Sequence, residues 1–296
     1  MHLVYFGEIL SLVTAVIWAF AVILFRKSGK AVHPIGLNLF KNLLAFILFI
    51  PTILLLRQPL LRHTGLTDSL ILVLSGVIGI GIGDTLFFLS LNLIGAGLSA
   101  IVESMYSPFI ILLSVLWLGE HLTIIQVLGT LMVVSAVLTT AQAKNGKVIR
   151  HRTLIFGIIN GVLATVAMAV GVVMIKPILV RSSLLWATEL RLLGGIIGLL
   201  IILSVHPKRR KILLSVTSRK VLGYTISGSF IGAYLAMFIW LAGMKYANVS
   251  IASVLNQTSN IFVFIFAAII LKEHITLRKT IAITLAVSGA FLVFIG

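Results

Sequence analysis

The sequence predicts an all-α integral membrane protein of ten transmembrane helices arranged as two inverted five-helix repeats, and three observations carry that expectation. Of 296 residues, 60% are hydrophobic and only 10% are charged, against about half and about a quarter in soluble domains. Apolar runs of about twenty residues recur along the whole length, each long enough at about 1.5 Å per residue to cross a hydrocarbon core of about 30 Å. One charged turn is written twice, as LWLGEHLT at 116–123 and as IILKEHIT at 269–276.

The first run, 7–25, starts close to Met1 without a basic n-region or a small-residue cleavage site, so it reads as a retained helix rather than a signal peptide. Runs at 34–56, 70–93, 95–118 and 123–142 follow, then 153–175, 184–205, 221–243, 248–271 and 277–295. Lipid offers no partner to an open backbone, so spans of this length should be helices, and apolar strands this long would be anomalous even in a barrel. The connections are short. The longest, HPKRRKILLSVTSRK at 206–220, is too small for a folded domain. There is no cysteine, and the seven histidines fall at turns or helix ends without ligand spacing, so neither a metal nor a cofactor is expected.

A formal charge of +16 raises nucleic acid as a partner, but the placement of the charge points to membrane lipid. Sixteen of the 23 Lys and Arg lie on connections that follow odd-numbered spans (Arg26, Lys27, Lys30; Lys144, Lys147, Arg150, Arg152; Lys208–Lys211, Arg219, Lys220; Lys272, Arg278, Lys279). Five lie on the other side: Arg57, Arg62, Lys176, Arg181 and Lys245. The positive-inside rule makes the rich side cytoplasmic and both termini external. The expected location is a plasma membrane of the prokaryotic inner-membrane kind, with no nucleic-acid partner and no oligomeric state legible.

Laying the halves over one another at an offset of 153 pairs Phe109 with Phe262, Leu118 with Leu271, Glu120 with Glu273, His121 with His274, Thr123 with Thr276 and Ser135 with Ser288. At an offset of 150 the front parts also meet, Gly7 with Gly157, Arg26 with Lys176 and Lys41 with Arg191. The repeats are therefore 1–146 and 147–296. Five spans is an odd number, so the second copy enters the membrane upside down, an arrangement suited to alternating access around a midplane site. Taken singly, the two EH turns read as structural helix ends, and Thr123 with Gln126 reads as a capping box.

Two such repeats, each closing with an L-x-E-H-[LI]-T turn after a small-residue segment (IGAGLSAIVESMYSPF in one copy, ANVSIASVLNQTSNIF in the other), resemble the EamA family of the drug/metabolite transporter superfamily. The resemblance covers nearly the whole chain. It implies export or exchange of amino acids, other metabolites or drugs through a central cavity between the repeats. Members of the family are usually drawn with cytoplasmic termini, which the charge count here reverses.

Charged groups near mid-membrane cost at least about 2.5–3.5 kcal/mol each on insertion scales, so those present should face a cavity or a partner. They are Lys41, Asp84, Glu103, Glu189 and Arg191. In the fourth span Ser99, Glu103 and Ser107 share a face, with Tyr106 beside it; in the ninth, Asn256 and Asn260 occupy the matching positions. Glu103, Ser107, Tyr106, Asn256, Asn260, Lys41 and Arg191 are the candidate solute-binding residues, with polar glue between packed helices as the competing reading. Lys41 and Arg191 can bind a solute carboxylate or neutralise an acid, and the sequence leaves both open. Glu103, Asp84 and Glu189 are the candidates for proton coupling. SGVIGIGIGD at 75–84 reads as a packing seam rather than a phosphate loop, and Pro108 should kink the fourth span where its counterpart Ile261 should not.

These observations predict a secondary transporter of a small polar or zwitterionic metabolite, working by alternating access, and no enzyme. A channel, a nontransporting membrane protein and a lipid-modifying enzyme are the alternatives. No P-loop and no nucleophile or metal cluster supports the last of these.

Overall fold

The computed structural model describes residues 6–58, 65–118, 123–141, 150–246 and 255–295, and every regular element among them is helical. The helices are α1 (Phe6–Ser28), α2 (Pro34–Leu55), α3 (Leu66–Ile94), α4 (Ala96–Glu103), α5 (Tyr106–Leu118), α6 (Ile124–Ala141), α7 (His151–Val173), α8 (Lys176–Arg181), α9 (Leu184–Val205), α10 (Arg209–Val216), α11 (222–246), α12 (Ser259–Ile270) and α13 (Leu277–Ile295). Their starts follow local chemistry. Pro34 takes the first position of α2, where a missing N–H costs nothing, and the His33 ring nitrogen Nδ1 accepts from the Ile35 amide at 3.3 Å. The expected capping box opens α6: the Thr123 amide donates to Gln126 Oε1 at 3.0 Å and the Gln126 amide to Thr123 Oγ1 at 3.2 Å.

Seven stretches among the described residues are long and apolar enough to cross a membrane: α1, α2, α3, α4 with α5 (Ala96–Trp117), α7, α9 and Leu222–Trp240 of α11. The expected spans 123–142 and 248–271 appear as the shorter apolar helices Ile124–Leu138 and Leu255–Ile270, and α13 covers the stretch expected for the tenth. The first-copy turn, with Glu120 and His121, lies outside the described residues.

Two backbone irregularities recur at one spacing. α3 widens into a π-helical segment at Gly76–Gly83, and α11 does so at Ser229–Ala236, 153 residues on. The fourth span breaks at Ser104–Met105, between α4 and α5, and the ninth breaks at Thr258, again 153 residues after Met105. Pro108 explains the first break, because it has no N–H for the Ser104 carbonyl. The second break has no proline. There the Thr258 hydroxyl donates to the Leu255 carbonyl at 2.5 Å and the Thr258 amide to the same carbonyl at 3.2 Å, closing a tight turn. A kink confined to the proline-bearing half is thus corrected to a break in both halves.

The packing is symmetric under exchange of the halves. α1 packs on α11 and α12 as α7 packs on α3 and α5, while α2 meets α9, α4 meets α12 and α6 meets α13. Close approach depends on small residues: a Cβ on Gly76 would overlap the Arg191 carbonyl, and one on Gly194 would overlap that of Val73. The stretch SGVIGIGIGD is therefore a helical seam against α9 and α7, with no phosphate loop.

The second EH turn has a defined task. Lys272 adopts φ 54°, turning the chain so that the Glu273 amide returns to the Ala267 carbonyl at 3.1 Å. The Glu273 carboxylate then reaches into the other half, accepting from the amides of Ala96 at 2.9 Å and Gly97 at 3.1 Å. It caps the N-terminus of α4, satisfying two donors that a helix start leaves open and placing negative charge at the positive end of the helix dipole. Gly95, at φ 85°, supplies the bend between α3 and α4, and a Cβ there would lie 2.6 Å from Glu273 Oε1.

Candidate functional site

The polar centre is built outward from α2. Lys41 is buried, with 6% of its surface exposed, and its ammonium meets the Asp84 carboxylate at 2.5 Å and Asn42 Oδ1 at 3.2 Å. It also lies 5.8 Å from the centre of the Phe88 ring, a cation–π contact. The Asn42 amide donates to Asn38 Oδ1 at 2.8 Å. Asn38 in turn donates to the carbonyls of Ile80 at 2.8 Å and Gly81 at 3.2 Å and to Thr85 Oγ1 at 2.9 Å. A π-helical turn spoils the i→i−4 pairing of its carbonyls, and Asn38 covers two of them. The widened turn and the network that covers it fix where Asp84 stands.

Three more groups surround this pair: Glu103, Tyr106 and Arg191. Glu103 closes α4 and Tyr106 opens α5, so the break between them displays both side chains at the end of a helix. Tyr106 stands in the electrostatic field of Arg191, Glu103 and Asp84, and Arg191 in that of Tyr106 and Asp84. Glu103 feels Asp84 in turn. Glu103, Tyr106, Asp84 and Arg191 all remain half-buried. Gly79 lies beside the guanidinium, where a Cβ would reach ordinary contact with Arg191 Nη2 at 3.7 Å. Counting Lys41, the centre holds two cations and two acids.

The two cations differ sharply in how they are held, although the repeat pairs them. Lys41 is neutralised by Asp84, whereas Arg191 has no ion pair or hydrogen bond among the described residues and its buried Nε has no partner. Glu103 likewise has neither. Glu189, on α9, buries both carboxylate oxygens without a partner among the described residues and makes no ion pair with the centre.

The residues expected on the fourth and ninth spans do not form one stripe. Glu103 and Tyr106 join Asp84 and Arg191, while Asn260 donates to Ser104 Oγ at 3.1 Å and to Gln257 Oε1 at 3.4 Å. Ser104, Gln257, Thr258 and Asn260 line a separate, smaller cleft with room for about 30 Å³, walled by Val287, Ala290 and Phe291 of α13. Asn256 is half-buried with its Oδ1 unpartnered among the described residues, and the side chain of Ser107 lies outside them. Ser104 and Thr85 went unread in the sequence, and Asn38 was read only as a polar group inside the second span, because nothing marks a hydroxyl or amide as covering irregular backbone. The one available signal was Ile78-Gly79 returning as Ile231-Gly232 at the offset of 153.

Comparison with known proteins agrees with this architecture. The EamA-like transporter family model matches residues 5–142 and again 155–295. A protein of Archaeoglobus fulgidus described as an uncharacterized transporter is 25% identical over 288 residues, 97% of each chain. A protein of known crystal structure shares the fold at a TM-score of 0.66 and 17% identity, over 97% of this chain and 95% of its own. With two matched segments covering nearly every residue, and equivalent irregularities in both, the chain belongs to the EamA-like transporter family.

Proposed function

We propose that the protein is a secondary carrier of a small zwitterionic, amino-acid-like solute, working as an exporter or exchanger by alternating access. The observation that carries the reading is the pairing pattern of the centre. Lys41 and Asp84 neutralise one another, while Arg191 and Glu103, of opposite charge and half-buried on different helices, are left without ion-pair partners among the described residues. Unpaired charge in a membrane interior is expensive, so groups kept this way have a use. Arg191 is suited to a carboxylate, which a guanidinium grips in two-pronged fashion, and Glu103 to an ammonium. Tyr106 adds a hydroxyl and a ring between them.

Alternating access rests on inversion of the repeats, which five spans per family segment produce. The exchange-symmetric packing and the irregularities shared at 153 residues support that arrangement. Glu273 adds a contact that bridges the halves at one end of the centre's helices and has to be broken or carried along when they rock. The basic loops favour a cytoplasmic rich face in a prokaryotic plasma membrane. Glu103 and Glu189 are the groups through which a proton gradient would couple, Asp84 being held by Lys41.

Counterflow in proteoliposomes tests the reading. Vesicles preloaded with a mixture of unlabelled amino acids should accumulate a labelled one, saturably, and Arg191→Lys and Glu103→Gln should each lower the rate at least about tenfold, equivalent to about 1.4 kcal/mol. Flux that does not saturate, or normal transport in both variants at equal folded protein, sinks it.

A further inference from the structure

A second binding region lies on the outer face of the bundle, where α1 and the start of α11 run antiparallel. The Ser28 and Thr225 hydroxyls meet at 2.7 Å beneath it and fix the register. One wall is the α1 face of Phe20, Leu24 and Lys27; the other is Lys220, in the turn before α11, with the α11 face of Gly223, Tyr224, Ser227 and Ile231, and the groove holds about 410 Å³. Both walls are polarised the same way. Lys27 and Lys220 stand at one end; at about 1.5 Å per residue Phe20 lies about 10 Å deeper on α1, seven residues from Lys27, and Ile231 about 13 Å beyond the first residue of α11.

Three details define what fits. The groove is open sideways, since Phe20, Gly223, Tyr224 and Ser227 are exposed, so its occupant comes from the bilayer and not through the central cavity. Gly223 creates the space, for a Cβ there would meet nothing within 4 Å. The Lys27 ammonium is held 5.1 Å from the centre of the Tyr224 ring, which poises a cation at the rim, and no carboxylate lines the groove among the described residues. The rim therefore offers two cations with no acid, above an apolar slot and one hydroxyl at mid-depth.

We propose that this groove binds an anionic phospholipid, with its phosphate between Lys220 and Lys27, its ester region at Ser227 and an acyl chain along Phe20 and Ile231. Basic pockets between helices on the positively charged side of a membrane protein suit anionic headgroups, because the low dielectric strengthens each contact. A lipid seated here touches α1 from the first family segment and α11 from the second, so it clamps the two halves together. The proposal does not depend on the identity of the transported solute.

The test uses purified full-length protein in detergent, with dioleoyl phosphatidylglycerol and dioleoyl phosphatidylcholine added in separate arms. Native mass spectrometry should show a retained phosphatidylglycerol adduct and a higher melting temperature than in the phosphatidylcholine arm. Lys27→Gln combined with Lys220→Gln should erase the preference between the lipids, and Gly223→Leu, which fills the slot without altering charge, should remove the adduct. Arg210→Gln, an exposed basic residue off the groove, should retain both. Equal behaviour of the two lipids, an intact preference in the double lysine variant, a persistent adduct in Gly223→Leu, or equal stabilisation by glycerol phosphate alone would each overturn the proposal. Melting temperatures without added lipid separate a lost site from a lost fold.

Discussion

The carboxylate of Glu273 holds the amide of Ala96 at 2.9 Å across 177 residues of chain and across the boundary between the two family segments. The turn that looked like a local helix end is the cap of a helix in the other half. Arg26 reinforces it, donating to the Asn92 carbonyl at 2.9 Å from within the field of Glu273.

Glu273→Ala should lower stability by about 1–2 kcal/mol, the range for a lost N-cap with a helix dipole exposed. Glu273→Gln, which keeps an acceptor, should recover part of the loss. Thermal unfolding in detergent checks both, and equal melting temperatures for Ala and wild type would show the cap to be idle. Gly95→Ala should cost more than either, since it combines strain at φ 85° with a clash against the same carboxylate.

For Lys41 and Asp84 a double-mutant cycle is decisive. Removing one partner of a buried ion pair strands the other, so Lys41→Met and Asp84→Leu singly should each cost about 3 kcal/mol, and the double variant should cost clearly less than their sum. Additive losses would mean the two charges do not support one another.

The Asn260–Ser104 hydrogen bond predicts a different pattern from Arg191 and Glu103. Asn260→Ala should reduce stability by about 0.6 kcal/mol, up to about 2, with Ser104→Ala adding little on top. Transport per folded molecule should fall far less than in Arg191→Lys. A tenfold loss of transport with unchanged melting would move the solute into the smaller cleft.

His33 gives a pH dependence with a definite sign. Burial, then the nearby His206 and Lys208, push its pKa below the ordinary histidine value of 6.5, and its ring must stay neutral at Nδ1 to accept from Ile35. The unfolded chain therefore binds a proton that the folded chain refuses, and stability should decline as pH falls through about 6.5 and level off below the folded pKa. His33→Asn, which keeps a capping acceptor, should flatten that part of the curve when unfolding is followed from pH 8 to pH 5. An unchanged slope would assign the effect elsewhere.

The helical class, the membrane and the two copies were legible because they rest on long-range composition and periodicity, which survive local detail. The five charged midplane residues were legible too, since lipid makes each of them conspicuous. How they divide was not. Lys41 and Arg191 are equivalent by position, and only the placement of Asp84 after a widened turn decides that one is neutralised and the other left open. Asn260 was read as facing the solute because amides at helical spacing form a stripe; its bond to Ser104, beside the break at Thr258, had no sequence signal. Irregular backbone is what a pattern of regular helices cannot forecast, and it is the first π segment and the first break that set where Asp84, Glu103 and Tyr106 stand.

The paired π segments also carry a history. Over the eight positions of each, GVIGIGIG and SFIGAYLA agree only at the third and fourth residues, Ile78 with Ile231 and Gly79 with Gly232. A widened turn is rare and unfavourable by itself, so two independent origins at one register are far less economical than a single origin followed by copying. The distortion therefore belongs to the repeat and not to its particular side chains: six of the eight differ between the copies around a backbone that does not.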